Sequence, residues 1–174
     1  TRIAYLGQPR RTQEAGVVVD WRRCVLQKIG AEEDFGPPGA AGARVFDADY
    51  AAACSLLARV EAIRDVGIWD SEYFIYYDDM EWGVRMKRAG WKVKATTGSM
   101  VEHEGFYQRR STQGLATRYL DIRNCLFFYH KFCPPPNRLR GFFHLYRRLL
   151  TDLFHFLREG NRGMARCLWL AAWD

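Results

Sequence analysis

Three carboxylates, Asp78, Asp79 and Glu81, fall within four positions of one another in the stretch Tyr77–Trp82. Clustered acids raise one another's pKa, whereas a helix N-terminus lowers it. A carboxylate balanced between those influences and aimed into a cleft suits general-base work. Acids in a first helical turn are also ordinary capping and dipole partners, and from the local residues both readings stay open. His103 stands between Glu102 and Glu104. A neutral imidazole suits Mn²⁺ or a similar ion alongside carboxylates, and a lone structural histidine is the plain alternative. Asp47-Ala48-Asp49 has the spacing of a metal–nucleotide DxD, a pattern any short acidic pair produces. Arg109 and Arg110 lie in a polar stretch after His103. Guanidinium groups there match phosphate geometry, unless the loop is simply solvated.

These groups need elements to hold them. Asp78 or Asp79 is placed to open a helix running to about Ala89, with Lys87 and Arg88 in its last turn and Gly90 after it. A shorter helical stretch covers Arg59 to Asp65, with Gly67 as its stop. Val17–Val19, Arg44–Phe46 and the alternating Trp91–Ala95 read as strands. Ala51–Leu57, built of small apolar residues, reads as a buried strand or a tightly packed segment. Residues 104–116 form a polar loop. Beyond Thr117 apolar residues recur at helical spacing, broken by Pro134-Pro135-Pro136 and resumed with arginines on the opposite face. The expected class is α/β to about residue 116, followed by a basic, aromatic-rich helical region over 117–174.

The chain has 174 residues, 48% of them hydrophobic and 15% aromatic, which excludes a disordered tail. Its net charge is +6, and the excess lies from Glu104 onward, where 12 Arg and Lys face 5 Asp and Glu. Such a surplus suits an anionic partner: a phospholipid surface, a diphosphate or a nucleic acid. Five scattered cysteines without a CxxC pair speak against a disulfide framework or zinc site and fit a reducing cytosol. No run of 18 apolar residues is present.

Taken in order, several segments resemble the family 2 glycosyltransferases. They are Asp49–Arg59, Val66-Gly67-Ile68-Trp69-Asp70, Phe74–Trp82, Arg85–Trp91, Val101-Glu102-His103 and, later, Arg123-Asn124. Tyr5-Leu6-Gly7 and Val19-Asp20-Trp21 are similar as well. The likeness covers roughly residues 1–130 and is most specific over 49–103, with a rhamnosyl- or galactofuranosyltransferase-like character. It implies a partial GT-A fold: residues 1–116 as the acceptor-side half of the domain, and 117–174 as a C-terminal helical extension. It implies Asp79 as the catalytic base and His103 as a metal ligand, with Asp78, Trp82 and Tyr77 contacting the acceptor. Arg109 and Arg110 would close on a diphosphate.

The resemblance further implies a nucleotide-sugar donor, a saccharide or lipid-linked acceptor, and a role in bacterial cell-surface polysaccharide synthesis. A divalent ion, Mg²⁺ or Mn²⁺, would be held mainly by the family's DxD half, which this chain lacks, so it is expected to be a piece of a longer enzyme and inactive alone. Asp47-Ala48-Asp49 lies too close to Asp79 to be that motif, and Asp49 reads as the polar start of the small-residue segment. Two further departures are Asp78, where the family usually has Glu or Trp-Asp before the base, and Ala53, where it often has Gly.

The basic, aromatic-rich helices are expected to sit peripherally on an anionic membrane surface, on the cytoplasmic face. No nucleic acid partner is expected, since no RNA-recognition motif is present. The rival reading is a non-catalytic basic module that binds an anionic surface or RNA. A glycoside hydrolase would need a second acid in comparable context, and none is placed.

Overall fold

A computed structural model describes residues 1–39, 42–104 and 114–174. It is a mixed α/β protein that divides into two compact units. The first comprises Thr1–Val19, Leu26–Ser71 and the described part of Asp78–Arg110. The second comprises Asp20–Val25, Glu72–Tyr77 and the described part of Ser111–Asp174.

In the first unit, β1 (Arg2–Tyr5) lies between β2 (Gln8–Glu14) and β7 (Met100–His103), antiparallel to the former and parallel to the latter. The parallel register sets Tyr5 opposite His103. Ile3 and Ala4 make β1 the buried centre of this sheet. Its partner β2 is polar throughout and contains Pro9, so its sequence carries no strand signal; register shifts against β1 accommodate it. A hairpin joins β3 (Val17–Asp20) to β4 (Val25–Lys28), and β5 (Val45–Asp47) pairs antiparallel with β6 (Lys94–Thr96). The expected strand at Trp91–Ala95 therefore survives only at its end.

Helices α1 (Val60–Val66) and α2 (Asp78–Arg88) match the expected extents and stop signals; Asp78 is the first helical residue of α2, and Arg59 at the N-cap of α1 makes no side-chain cap bond. Gly67 closes α1 at φ 85°, its N–H bonding to Ile63 O, and Gly90 follows α2 at φ 93°. Side chains of α2 satisfy carbonyls at and just beyond the end of α1. Trp82 Nε1 donates to Gly67 O at 2.8 Å, and Arg85 donates to Val66 O and Ile68 O. The cluster of Ala62, Trp82 and Met86 packs beneath them. Gly83 is required where α2 meets the chain at Asp49–Tyr50: a Cβ there would lie 2.6 Å from Asp49 O.

The Ala51–Leu57 segment is neither a buried strand nor tightly packed. The backbone N–H groups of Asp49 and Tyr50 turn to Val17 O, the ladder ends there, and a single 3₁₀ turn at Ala53–Ser55 follows, with Leu57 fully exposed. A run of alanines offers no β-branched side chains to hold an extended pairing.

The second unit is built on α3 (Leu115–Phe132), α4 (Pro135–Arg158) and α5 (Arg162–Trp173). Pro135 opens α4 at a position that needs no N–H donor. The break before α5 comes from Gly160 at φ 70° and from Asn161, whose side chain accepts from Met164 N at 3.1 Å. The sequence reading did not separate α5 from α4. Phe128, Tyr129, Phe132 and Leu145 form the core, and Trp21 stacks on Phe128 with ring centroids 5.6 Å apart. Gly141 admits the turn around Trp21: a Cβ would meet Trp21 O at 2.6 Å. No described helix is long and apolar enough to cross a membrane.

Candidate active site

The first turn of α2 holds the acidic cluster, and its members have different surroundings. Glu81 is almost fully buried and answered by Arg85, with N–O distances of 2.9 to 3.2 Å. Glu81 is thus committed to an ion pair within α2, and Arg85 ties α2 to the end of α1 through Val66 O and Ile68 O. Asp79 has no such partner. Its Oδ1 accepts from Met80 N at 2.9 Å and its Oδ2 from Ala53 N at 3.1 Å, and no described cation pairs with it. Burial, reinforced by the charges of Asp78 and Glu14, pushes its pKa up to about 6, against the pull of those two N–H donors.

Glu14 and Cys54 belong to this neighbourhood and were not found in the sequence. Glu14 is buried on β2 and pairs with Lys28 at 3.1 Å. Burial raises the Cys54 thiol, with the charges of Glu14 and Asp79 adding to it. Glu14 sits on a strand with no sequence signal, and Cys54 lies within the run of alanines. The turn that carries Ala53 and Cys54 thus supplies a donor to Asp79, a consequence of its not being a strand.

The segment leading into Asp78 is conformationally unusual. Phe74, Tyr76 and Tyr77 all adopt left-handed backbone, at φ 57°, 66° and 65°. Bulky side chains in that region cost about 1–2 kcal/mol each, so something must hold them. Within the second unit that restraint is Asn124. Its buried amide nitrogen donates to Tyr73 O, Ile75 O and Tyr76 O at 2.7, 2.8 and 3.0 Å, and Arg123 donates to Glu72 O at 2.8 Å. Two amide hydrogens serve three carbonyls, so one is shared. This is the physical role of the Arg123-Asn124 pair, and its target segment is joined by a peptide bond to Asp78.

The other expected site residues fall in varied places. Tyr77 is buried, its ring 5.6 Å from Phe128, and burial raises its hydroxyl well above the ordinary value. Trp82 is buried too, with its N–H committed to Gly67 O. Neither ring offers a free face to an acceptor. Trp69, 5.5 Å from the Trp82 ring, is the exposed indole of this neighbourhood. Asp78 is half-buried at the helix start. Asp47 and Asp49 diverge: Asp47 pairs with Lys94 at 2.6 Å, whereas Asp49 pairs with Lys87 at 2.5 Å and accepts from Val19 N at 2.6 Å. They do not form a DxD metal pair. Arg109 and Arg110 lie outside the described residues.

His103 ends β7 with its side chain exposed, and its carbonyl accepts from Leu6 N and Gln13 Nε2. Neighbouring Glu102 is engaged with Gly7 N at 2.7 Å. Among the described residues no three His, Cys, Asp or Glu side chains group closely enough to hold a metal ion. An ion at His103 would therefore find fewer than three ligands of these types among the described residues. No family model, curated protein or solved structure matches this chain.

Proposed function

We propose that this chain is the acceptor-side and C-terminal part of an inverting glycosyltransferase with a GT-A fold, and that Asp79 is its catalytic base. The observation that carries the reading is the contrast at the start of α2. Asp79 is held by two backbone N–H groups, is matched by no described cation, and has its pKa pushed by burial up to about 6. A base with that pKa is ionised at neutral pH yet basic enough to take a proton. The resemblance over residues 49–103 names the same residue.

In the proposed reaction an acceptor hydroxyl gives its proton to the Asp79 carboxylate. The freed oxygen forms the new bond to the anomeric carbon of a nucleotide-sugar. The bond from that carbon to the nucleoside diphosphate breaks with its electron pair on the leaving oxygen, and the configuration inverts. Asp78, beside the base, is placed to bind acceptor hydroxyls, and Trp69 is better placed than Trp82 to present a ring to a sugar. A divalent ion, Mg²⁺ or Mn²⁺, would supply charge neutralisation for the departing diphosphate, with His103 as one ligand. The acceptor is a saccharide or a lipid-linked saccharide.

The test is transfer by the protein at full natural length from a panel of nucleotide-sugars, with Mg²⁺ or Mn²⁺. Asp79→Asn is expected to lower turnover about 10²–10⁴-fold, the usual share of a positioned base, and His103→Ala to weaken metal dependence. No transfer from any donor by a well-folded protein, or near-normal turnover by Asp79→Asn, would refute the proposal and favour the non-catalytic basic module.

A further inference from the structure

Helix α4 buries Gly141 and Leu145 but leaves a second apolar face in water. Leu139, Phe143, Tyr146, Leu150, Phe154 and Leu157 recur at steps of three and four residues, between 41% and 89% exposed. This is one continuous stripe along the whole helix. Scattered exposed apolar residues need no explanation, but an aligned row of six does. Exposed arginines border it: Arg140, Arg147 and Arg158 along one edge and Arg138 on the other. From 135 to 173 the chain has seven arginines, no lysine, and only Asp152 and Glu159 as acids. In the same unit, α5 leaves Trp169 and Trp173 exposed.

We infer that this face of α4 lies in the plane of an anionic lipid surface, with the stripe among the upper acyl chains and the arginines at the headgroup phosphates. A helix of strong amphipathicity and low overall apolarity, cationic at its edges, is suited to that position rather than to a span. Indole and phenol rings favour the same interfacial level. Charge decides between this occupant and a second copy of the chain. An isologous pair would set the arginine-bearing edges of two copies against each other, with little acid to answer them. Anionic headgroups answer them directly. This attachment is independent of the chemistry proposed for Asp79.

The test is co-sedimentation of the chain with phosphatidylcholine vesicles, with and without phosphatidylglycerol, at low and high salt, alongside light scattering. Retention is expected on the phosphatidylglycerol vesicles and should fall several-fold as salt rises. The double substitution Leu150→Glu, Phe154→Glu touches only exposed positions. It should lower retention at least about tenfold while helix content stays unchanged. Arg140→Glu with Arg147→Glu should remove the preference for the anionic lipid, and Asp79→Asn should leave retention as it was. The inference is overturned if the chain is not retained, or if retention ignores both lipid charge and the stripe. It is also overturned if the chain self-associates and the stripe substitution makes it monomeric, which would make the face a contact between copies.

Discussion

Helix α2 in the first unit and helix α4 in the second are both amphipathic, and each breaks its own pattern in the opposite sense. On α2 a carboxylate, Asp79, is drawn partly out of water with no described cation to match it. On α4 apolar side chains from Leu139 to Leu157 are left in water without a core to enter. Elsewhere the same helices follow ordinary rules. The buried acid Glu81 has Arg85, and the buried apolar Leu145 fills the helical core. Departures of this kind, in chains that are otherwise consistent, mark the places where something other than folding has shaped the residues. Here one departure suits proton transfer and the other suits a surface.

The comparison can be broken at Glu81 first. Arg85→Ala removes the cation beside a buried carboxylate and frees the carbonyls of Val66 and Ile68, and is expected to cost about 3–5 kcal/mol in urea unfolding. A cost under about 1 kcal/mol would mean that the paired and unpaired acids of α2 do not differ as described. Next in size is Asn124→Leu, which strips the donors from three carbonyls of a left-handed segment. It should cost about 2–4 kcal/mol, and under the proposed function it should lower turnover as well, because the segment leads by one peptide bond into Asp78.

A smaller effect has the opposite sign. Burial raises Asp79 from its ordinary 3.8 to about 6, so the folded state favours the protonated acid. That stabilisation is complete below about pH 4 and is lost as pH rises through about 6. Asp79→Asn removes the charge and should therefore stabilise the chain at pH 8. The gain is about 1–2 kcal/mol once the N–H bond that an amide cannot accept is allowed for. The gain should shrink below pH 6 and vanish near pH 4. Destabilisation at pH 8 would show that the carboxylate is a structural cap and not a strained base.

How much of this could be read in advance follows from how local each signal is. Helix α2 was legible because its acids and its closing Lys87 and Arg88 lie within the element they define, and Gly90 follows two residues after its end. The proline break before α4 was legible for the same reason. Strand β2 was not, because Gln8–Glu14 becomes a strand only through β1 beside it. With β2 unseen, Glu14 could not be placed near Asp79. Trp82 and Tyr77 were expected from the resemblance to contact an acceptor; whether a ring is buried depends on Gly67, Trp69 and Phe128, which are distant in sequence. Asn124 was marked by resemblance alone, and its three carbonyl partners, 48 to 51 residues away, gave no local sign.

The central claim is that Asp79 is a proton acceptor poised near neutrality, and titration tests it most directly. Carbon-detected NMR of the side-chain carboxyls, with Asp79→Asn to assign the resonance, should show Asp79 titrating near pH 6. A midpoint at or below the ordinary 3.8 would contradict the account. Asp79 would then be an ordinary acid at a helix start, with no special claim to the chemistry.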